Sequence, residues 1–224
     1  MTTIQKNDFV ELEFVGKIKD TGEVFDTNIK SEIEKIKSNF EPKKYILAVG
    51  HNMTMKGLDK DLEGKEVGKE YESEFKPEDA FGKRNPAMVK MIPLKVFIEQ
   101  KIMPQKGMQL SLDGMVVKVM SVSGGRVLVD FNNPLAGKVL TYKYIITKKL
   151  EDQKEKVDAL QEFFFRNKFD YEIKDKDLIF KVGKDISKFI EMMAKPFDEI
   201  LGLTTKVEII ETKKEEKKEE NLSN

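Results

Sequence analysis

The chain has 224 residues, 39% hydrophobic and 36% charged, and its 40 Lys and Arg balance 40 Asp and Glu. This length and apolar fraction fit one to three domains with a core, and the charge balance excludes a globally basic nucleic-acid binder, leaving room only for a local basic patch. With no cysteine and a single histidine, His51, the chain has no disulfide framework, thiolate nucleophile, Cys-ligated zinc or histidine metal cluster, and any Ser/His/Asp triad would pass through His51.

No run approaches the ~18 apolar residues that a membrane span needs. Residues 1–6 hold no apolar signal segment, so the expected compartment is the cytoplasm. Residues 7–15 alternate polar and apolar, with Val10, Leu12 and Phe14 on one face; this predicts a half-buried antiparallel strand. Asp20-Thr21-Gly22-Glu23 is a turn signal, making a hairpin of segments 9–19 and 23–26. Ile29, Ile33, Ile36 and Phe40 recur at helical spacing, predicting a short amphipathic helix that ends before Pro42. Residues 45–50 read as a buried strand, 54–63 as a short helix closed by Gly64, and 69–75 as an alternating strand stopped by Pro77.

The composition then shifts. Residues 86–138 carry seven basic and three acidic side chains, and hold Met88, Met91, Met103, Met108, Met115 and Met120 out of eleven methionines in all. Glycines punctuate short β-like runs at 108–112, 115–122 and 126–131, so this region reads as a small all-β module with a helical entry near 93–99. Residues 139–146 alternate like the earlier strands, as expected if the module is inserted between strands of one parent domain. From 151 a new unit begins: a helix at 152–166, strands at 169–173 and 177–182, a helix at 185–201 and a strand at 205–211. That αββαβ order predicts a small α+β sandwich. Residues 213–224 are a charged tail with little to bury, expected to be disordered.

Phosphate-loop, dinucleotide, zincin and nucleophile-elbow motifs are absent. Asp59, Asp61, Glu63, Gly64 and Glu70 fall at EF-hand spacing, but Glu66 takes an apolar position of that loop and Val67-Gly68 stands where the exiting helix should start. The plainer reading is a charged helix end followed by a glycine turn. His51 follows Gly50 at a strand end and reads as a loop residue at a site rim rather than a catalytic base.

One ordered set of fragments carries a function: Phe14-Val15-Gly16, Gly22-Glu23-Val24-Phe25-Asp26-Thr27, Tyr45 through Gly50, Met55-Lys56-Gly57-Leu58, Val67-Gly68 and Asp79-Ala80-Phe81-Gly82. Together these resemble the FKBP-type prolyl isomerases. Residues 132–138 leading into Leu140-Thr141-Tyr142 resemble the return segment of SlyD-like and long archaeal members, whose insert-in-flap domain serves as a chaperone surface. Residues 151–212 resemble the extra C-terminal domain of the long archaeal type.

The resemblance implies an antiparallel half-barrel wrapped on a short helix, formed by residues 1–85 and 135–150, with an insert-in-flap domain at 86–134 and a C-terminal α+β domain at 151–212. It implies a peptidylprolyl cis–trans isomerase with chaperone activity that needs no cofactor and no metal. Its pocket would comprise Phe14, Phe25, Asp26, Tyr45, Met55, Leu58, Phe81 and Tyr142. Leu58 would form the floor, where the family often has Trp. The Met55 backbone N–H would bond a substrate carbonyl, Phe25 and Tyr142 would wall the prolyl ring, and Asp26 would stand at the rim. Leu58 and Phe14 read equally well as core residues; Phe25 on a hairpin edge and Phe81 in a glycine-flanked loop are harder to explain that way. Family members often have tyrosine at Phe14 and Phe81. Losing those hydroxyls weakens hydrogen bonding to Asp26 and to a ligand carbonyl, more than it affects a reaction driven by pocket shape.

The methionines of the insert have two readings. Flexible, polarizable Met suits a surface for varied unfolded chains, and it also fills the core of a small β module. Pro93, Leu94, Val96, Phe97, Met103 and Met108 are the candidate capture residues. The expected partners are unfolded or partly folded proteins and proline-containing peptides, not nucleic acid or membrane, and the C-terminal unit is a candidate homodimer surface. The alternative function is a holdase with a vestigial isomerase pocket.

Overall fold

The computed structural model describes residues 2–36, 41–112 and 114–210. The first half holds β1 (Phe9–Ile18), β2 (Val24–Thr27), α1 (Lys30–Lys35), β3 (Tyr45–Ala48), α2 (Lys56–Asp61) and β4 (Glu70–Phe75). Next come β5 (Val89–Pro93), α3 (Leu94–Glu99), β6 (Gln109–Leu112), β7 (Met115–Ser123) and β8 (Arg126–Asp130), followed by β9 (Leu140–Leu150). The chain then forms α4 (Gln153–Phe165), β10 (Asp170–Lys174), β11 (Asp177–Val182), α5 (Lys184–Leu201) and β12 (Thr204–Ile209).

Three sheets result. The first runs β2-β1-β9-β4, with β3 also paired to β1, and all its pairs are antiparallel. The strand after the insert, β9, pairs with the two strands β1 and β4 that precede the insert, so both connections to the insert leave from this sheet. The second sheet, β5-β8-β7-β6, is antiparallel. The third is β10-β11-β12; here α5 crosses over between β11 and β12, so that pair is parallel. The fold is a mixed α+β one, as the sequence predicts.

Several details differ from the sequence reading. β1 buries Val10, Leu12 and Phe14 on one face, as expected, and its other face also buries Phe9 and Val15 while Glu13 and Lys17 stay exposed. One core runs without a break from Phe9 and Leu47 through Leu150 into Val157, Leu160, Phe180 and Phe197, so the C-terminal unit covers apolar surface of the first sheet. The Lys156 ammonium also lies 5.8 Å from the centre of the Phe9 ring. β9 extends four residues beyond the alternating run that marks it, to Leu150. Its register with β1 shifts between Glu11 and Leu12, which leaves Thr147 as an extra residue. The Thr147 hydroxyl donates to the Glu11 carbonyl at 3.1 Å. A bulge of this kind breaks the period-two pattern that a sequence reading follows.

The sequence pattern does not reveal β5, which runs up to the helical entry; Pro93 is tolerated because the strand is at the sheet edge. α1 ends at Lys35, and Phe40, expected in that helix, lies outside the described residues. So do Glu211 of the last strand and the charged tail. Phe189 and Met192 of α5 face solvent. Among the described residues no helix is long and apolar enough to cross a membrane.

Candidate active site

The hairpin supplies the first element of the site. Opposite β1, Gly16 pairs with Asp26 and Lys17 with Val24, so Phe25 is the extra residue of a bulge. Bulges redirect side chains, and this one puts Phe25 among aromatic rings. Its ring centre is 5.7 Å from that of Tyr142 and 6.3 Å from that of Phe81, edge-on in both cases. Tyr142 lies 5.7 Å from Phe14, which meets Tyr45 edge-on at 5.1 Å. Gly16 leaves room for this arrangement: a Cβ there would fall 2.9 Å from Cζ of both Phe25 and Tyr142.

A cavity of about 400 Å³ opens here, lined by Phe14, Phe25, Asp26 and Tyr45 with Ile33 and Ile36 of the α1 segment. Thr27 and Asn28 hold its wall. The Thr27 hydroxyl donates to the Phe14 carbonyl at 2.7 Å. Asn28 accepts from the Phe14 N–H at 2.9 Å and donates to the Leu12 carbonyl at 2.7 Å. Of the other expected residues, Tyr142 and Phe81 join through their rings. Leu58 is fully buried in the core, and Met55 packs against it. Met55 is the N-cap of α2, and its carbonyl accepts from the Asp59 N–H at 3.0 Å.

Helix α2 reaches the rings through Phe75. A Cβ on Gly57 would lie 2.6 Å from Phe75 Cδ1, and Phe75 meets Tyr142 edge-on at 6.1 Å. Sequence reasoning missed Phe75, Thr27 and Asn28 as parts of this site. The polar pair following Phe25-Asp26 was the one available signal.

Asp26 is at the rim. Burial pushes its carboxyl above the usual range, against a lowering hydrogen bond from the Thr27 backbone. Burial also raises the phenols of Tyr45 and Tyr142, with the Asp26 charge adding to both. Both hydroxyls are therefore protonated at neutral pH. Phe14, Phe25, Ile33 and Ile36 make most of the cavity lining apolar, with Glu41, Lys43 and Lys44 adding charged groups beside Asp26.

Two of the acidic residues at EF-hand spacing, Asp59 and Asp61, turn to separate protein donors. Asp59 accepts from the N–H groups of Gly50 and Asn52 at 2.8 and 2.9 Å. Asp61 accepts from Ser73 at 2.5 Å and Tyr144 at 2.6 Å, and lies 3.2 Å from the Lys65 ammonium. Burial pushes the Asp61 carboxyl up, but these donors outweigh it and hold the carboxyl below its ordinary value. A depressed carboxylate contributes stability above the unfolded-state value and loses it as pH falls through the lower folded-state value. Unfolding free energy measured from about pH 5 to about pH 2 should therefore fall more steeply in the parent protein than in Asp61→Asn. Equal slopes would show that the network contributes no net acid sensitivity. His51 stands outside the cavity, its Nε2 2.8 Å from Asn7 Oδ1.

Comparison with known proteins shows the family. The family model for FKBP-type peptidyl-prolyl cis-trans isomerase matches residues 1–98, and the model for the FKBP26 IF domain matches 90–135. The chain is 30% identical over 142 residues to the short-type peptidyl-prolyl cis-trans isomerase of Methanocaldococcus jannaschii, covering 62% of this chain and 89% of that protein. It belongs to the FKBP-type peptidyl-prolyl cis-trans isomerases. SlyD of Vibrio cholerae is 34% identical over 96 residues and SlyD of Pasteurella multocida 36% over 99; each match covers 42% of this chain and 48% of the SlyD protein. The chain thus spans about half the length of these SlyD relatives.

In this FKBP-type chain the insert has its own small core. Phe97, Val117, Val119, Val127 and Val129 are buried, with Ile92, Leu94, Ile102 and Phe131 packed around them. This corrects the sequence reading of Phe97 as an exposed capture residue: it is 1% exposed. Helix α3 turns it inward, while Val96 and Ile98 face outward. Leu94 is half-buried against the same core. The other four candidates, Pro93, Val96, Met103 and Met108, are exposed. No methionine belongs to the buried cluster; Met91, Met103, Met108 and Met115 are exposed and Met88 and Met120 half-buried. Four valines fill this cluster around Phe97, and the insert's methionines lie outside it.

Proposed function

We propose that this FKBP-type isomerase acts on X–Pro bonds of folding polypeptides through the pocket of Phe14, Phe25, Tyr45, Phe81 and Tyr142, and that its insert captures the unfolded chain. The observation that carries the first part is the bulged Phe25 facing a largely apolar cavity. Rotation about the prolyl bond meets a barrier of ~18–20 kcal/mol because the amide must give up resonance. No σ bond breaks, so nothing needs to be attacked or activated. An apolar cavity that strips water from the imide favours the twisted, less polar state over the planar one. Phe25 and Tyr142 grip the prolyl ring, the Met55 N–H takes a substrate carbonyl, Leu58 supports the floor from the core, and Asp26 offers one acceptor at the rim.

The exposed apolar surface of the insert supports the second part. Met103 is 70% exposed, Met91 59% and Val116 53%, with Ile98, Met115, Val96 and Met108 also open to solvent. Solvent-facing apolar groups in this number mark a binding surface, and the insert's net positive charge aids capture of acidic chains. Holding a client there raises its concentration at the pocket.

Removing residues 86–134 tests both parts. The Gly137 N–H donates to the Gly82 carbonyl at 2.8 Å, so the cut ends lie close enough for a short glycine link. Turnover of a short X–Pro peptide should stay within about two-fold, and acceleration of a proline-limited protein refolding reaction should fall by roughly 10²-fold, the scale of lost effective concentration. Unchanged refolding would sink the capture role. Absent peptide turnover in the full chain would leave a holdase with a silent pocket.

A further inference from the structure

A second cavity, of about 650 Å³, lies between the β1–β2 hairpin and strand β7 of the insert, and Phe25 lines both it and the prolyl pocket. Its apolar wall includes Ile18 on the hairpin side and Val116 and Met120 on the insert side. Five ionic side chains line it: Arg84 and Asp130, which pair with each other, and Glu23 on the hairpin, Lys118 on β7 and Lys138 on the return connection. Among the described residues, neither lysine has a carboxylate within 4.0 Å.

A hydrogen-bonded network of Arg84, Asn85, Asp130 and Asn132 borders the cavity. Arg84 Nε and Nη2 donate to Asp130 Oδ2 at 3.0 and 2.7 Å. Asp130 Oδ1 accepts the Asn132 N–H at 2.9 Å and side-chain amide at 2.6 Å. Asn132 Oδ1 in turn accepts the Asn85 N–H at 2.8 Å, and Asn132 Nδ2 donates to the Asn85 carbonyl at 3.0 Å. The outgoing and returning connections are thus tied to each other beside the cavity. The Arg84 charge is spent on Asp130, which leaves Lys118 and Lys138 as the cations able to meet a ligand.

We propose that this cavity is an extended substrate subsite: it takes the stretch of polypeptide adjoining the prolyl bond held against Phe25, and it favours acidic side chains in that stretch. This rests on the isomerase reading of the aromatic pocket. Continuity through Phe25 makes the occupant the same chain that enters the pocket. The two lysines against one glutamate set its charge, and the apolar wall accepts the side chains between.

The test measures isomerisation by the full chain of a blocked tetrapeptide with a central X–Pro, and of the same peptide lengthened by four residues at either end with acidic, neutral or basic side chains. At low salt the acidic extension should raise kcat/KM about two- to five-fold over the neutral one, the scale of two exposed charge contacts. The basic extension should fall below the neutral one. In the double variant Lys118→Glu, Lys138→Glu the order of acidic and basic peptides should invert, and ~0.5 M salt should level it in both proteins. If all extended peptides match the tetrapeptide at low salt, the subsite is wrong while the pocket stands. If the tetrapeptide itself is not turned over, the isomerase reading fails and takes the subsite with it. The peptide series on the unmodified chain decides the matter even if the double variant fails to fold.

Discussion

Gly16→Ala should lower kcat/KM for a short X–Pro peptide by about ten-fold or more while leaving the protein folded. The added methyl would sit 2.9 Å from ring carbons of both Phe25 and Tyr142, so one or both rings must move. Overpacking of this kind costs roughly 1–3 kcal/mol. Here the displaced groups are the walls proposed for the prolyl ring, and each ~1.4 kcal/mol lost from the transition state is a ten-fold loss of rate. Gly64→Ala is the useful contrast. Gly64 has φ +84°, and a methyl added there would meet nothing within 4 Å, so its cost is backbone strain alone. It should lower stability by about 1 kcal/mol and leave peptide turnover unchanged. Gly16→Ala with full turnover would mean that the ring geometry around Phe25 does not govern the reaction.

Phe197→Ala should destabilise the whole chain by about 3–5 kcal/mol, the cost of emptying a buried aromatic site. Phe197 is fully buried; its ring stacks on Phe165 at 5.3 Å and meets Phe164 and Phe180 at 5.6 Å each. The core it belongs to reaches through Leu150 to Phe9 and Leu47 of the first sheet. Heating followed by far-ultraviolet circular dichroism should therefore show one transition, lowered by roughly 10 °C for a chain of this size. Peptide turnover should vanish along the same curve. A separate early transition that leaves turnover intact would show that the shared core does not couple the C-terminal unit to the isomerase sheet.

Where the chain alternates or repeats cleanly, its elements are legible. Val10, Leu12 and Phe14 mark β1 because every second residue meets one core. The αββαβ order after residue 151 follows from runs whose lengths and apolar spacing separate helix from strand. The bulge at Thr147 breaks that logic, and the edge strand β5 lacks a strong alternation to reveal it. In the insert, Phe97 shows the limit of composition: an aromatic beside Val96 and Ile98 looks like part of one apolar patch, and only the direction of α3 sends it inward.

The sequence by itself determined the family, through the order of Phe25-Asp26, Tyr45, Gly57-Leu58 and Phe81-Gly82, and with it the peptidyl-prolyl isomerase activity. The lack of cysteine and the single histidine narrowed the field before any fold was considered. The tertiary structure decided three other things. It made Phe25 a bulge residue facing Tyr142, it kept the insert's methionines out of the insert's buried cluster, and it joined the C-terminal unit to the first core. Each depends on which residues far apart in the chain compete for the same volume. Local spacing records the period of an element, and the space left to each side chain is set by the elements packed against it.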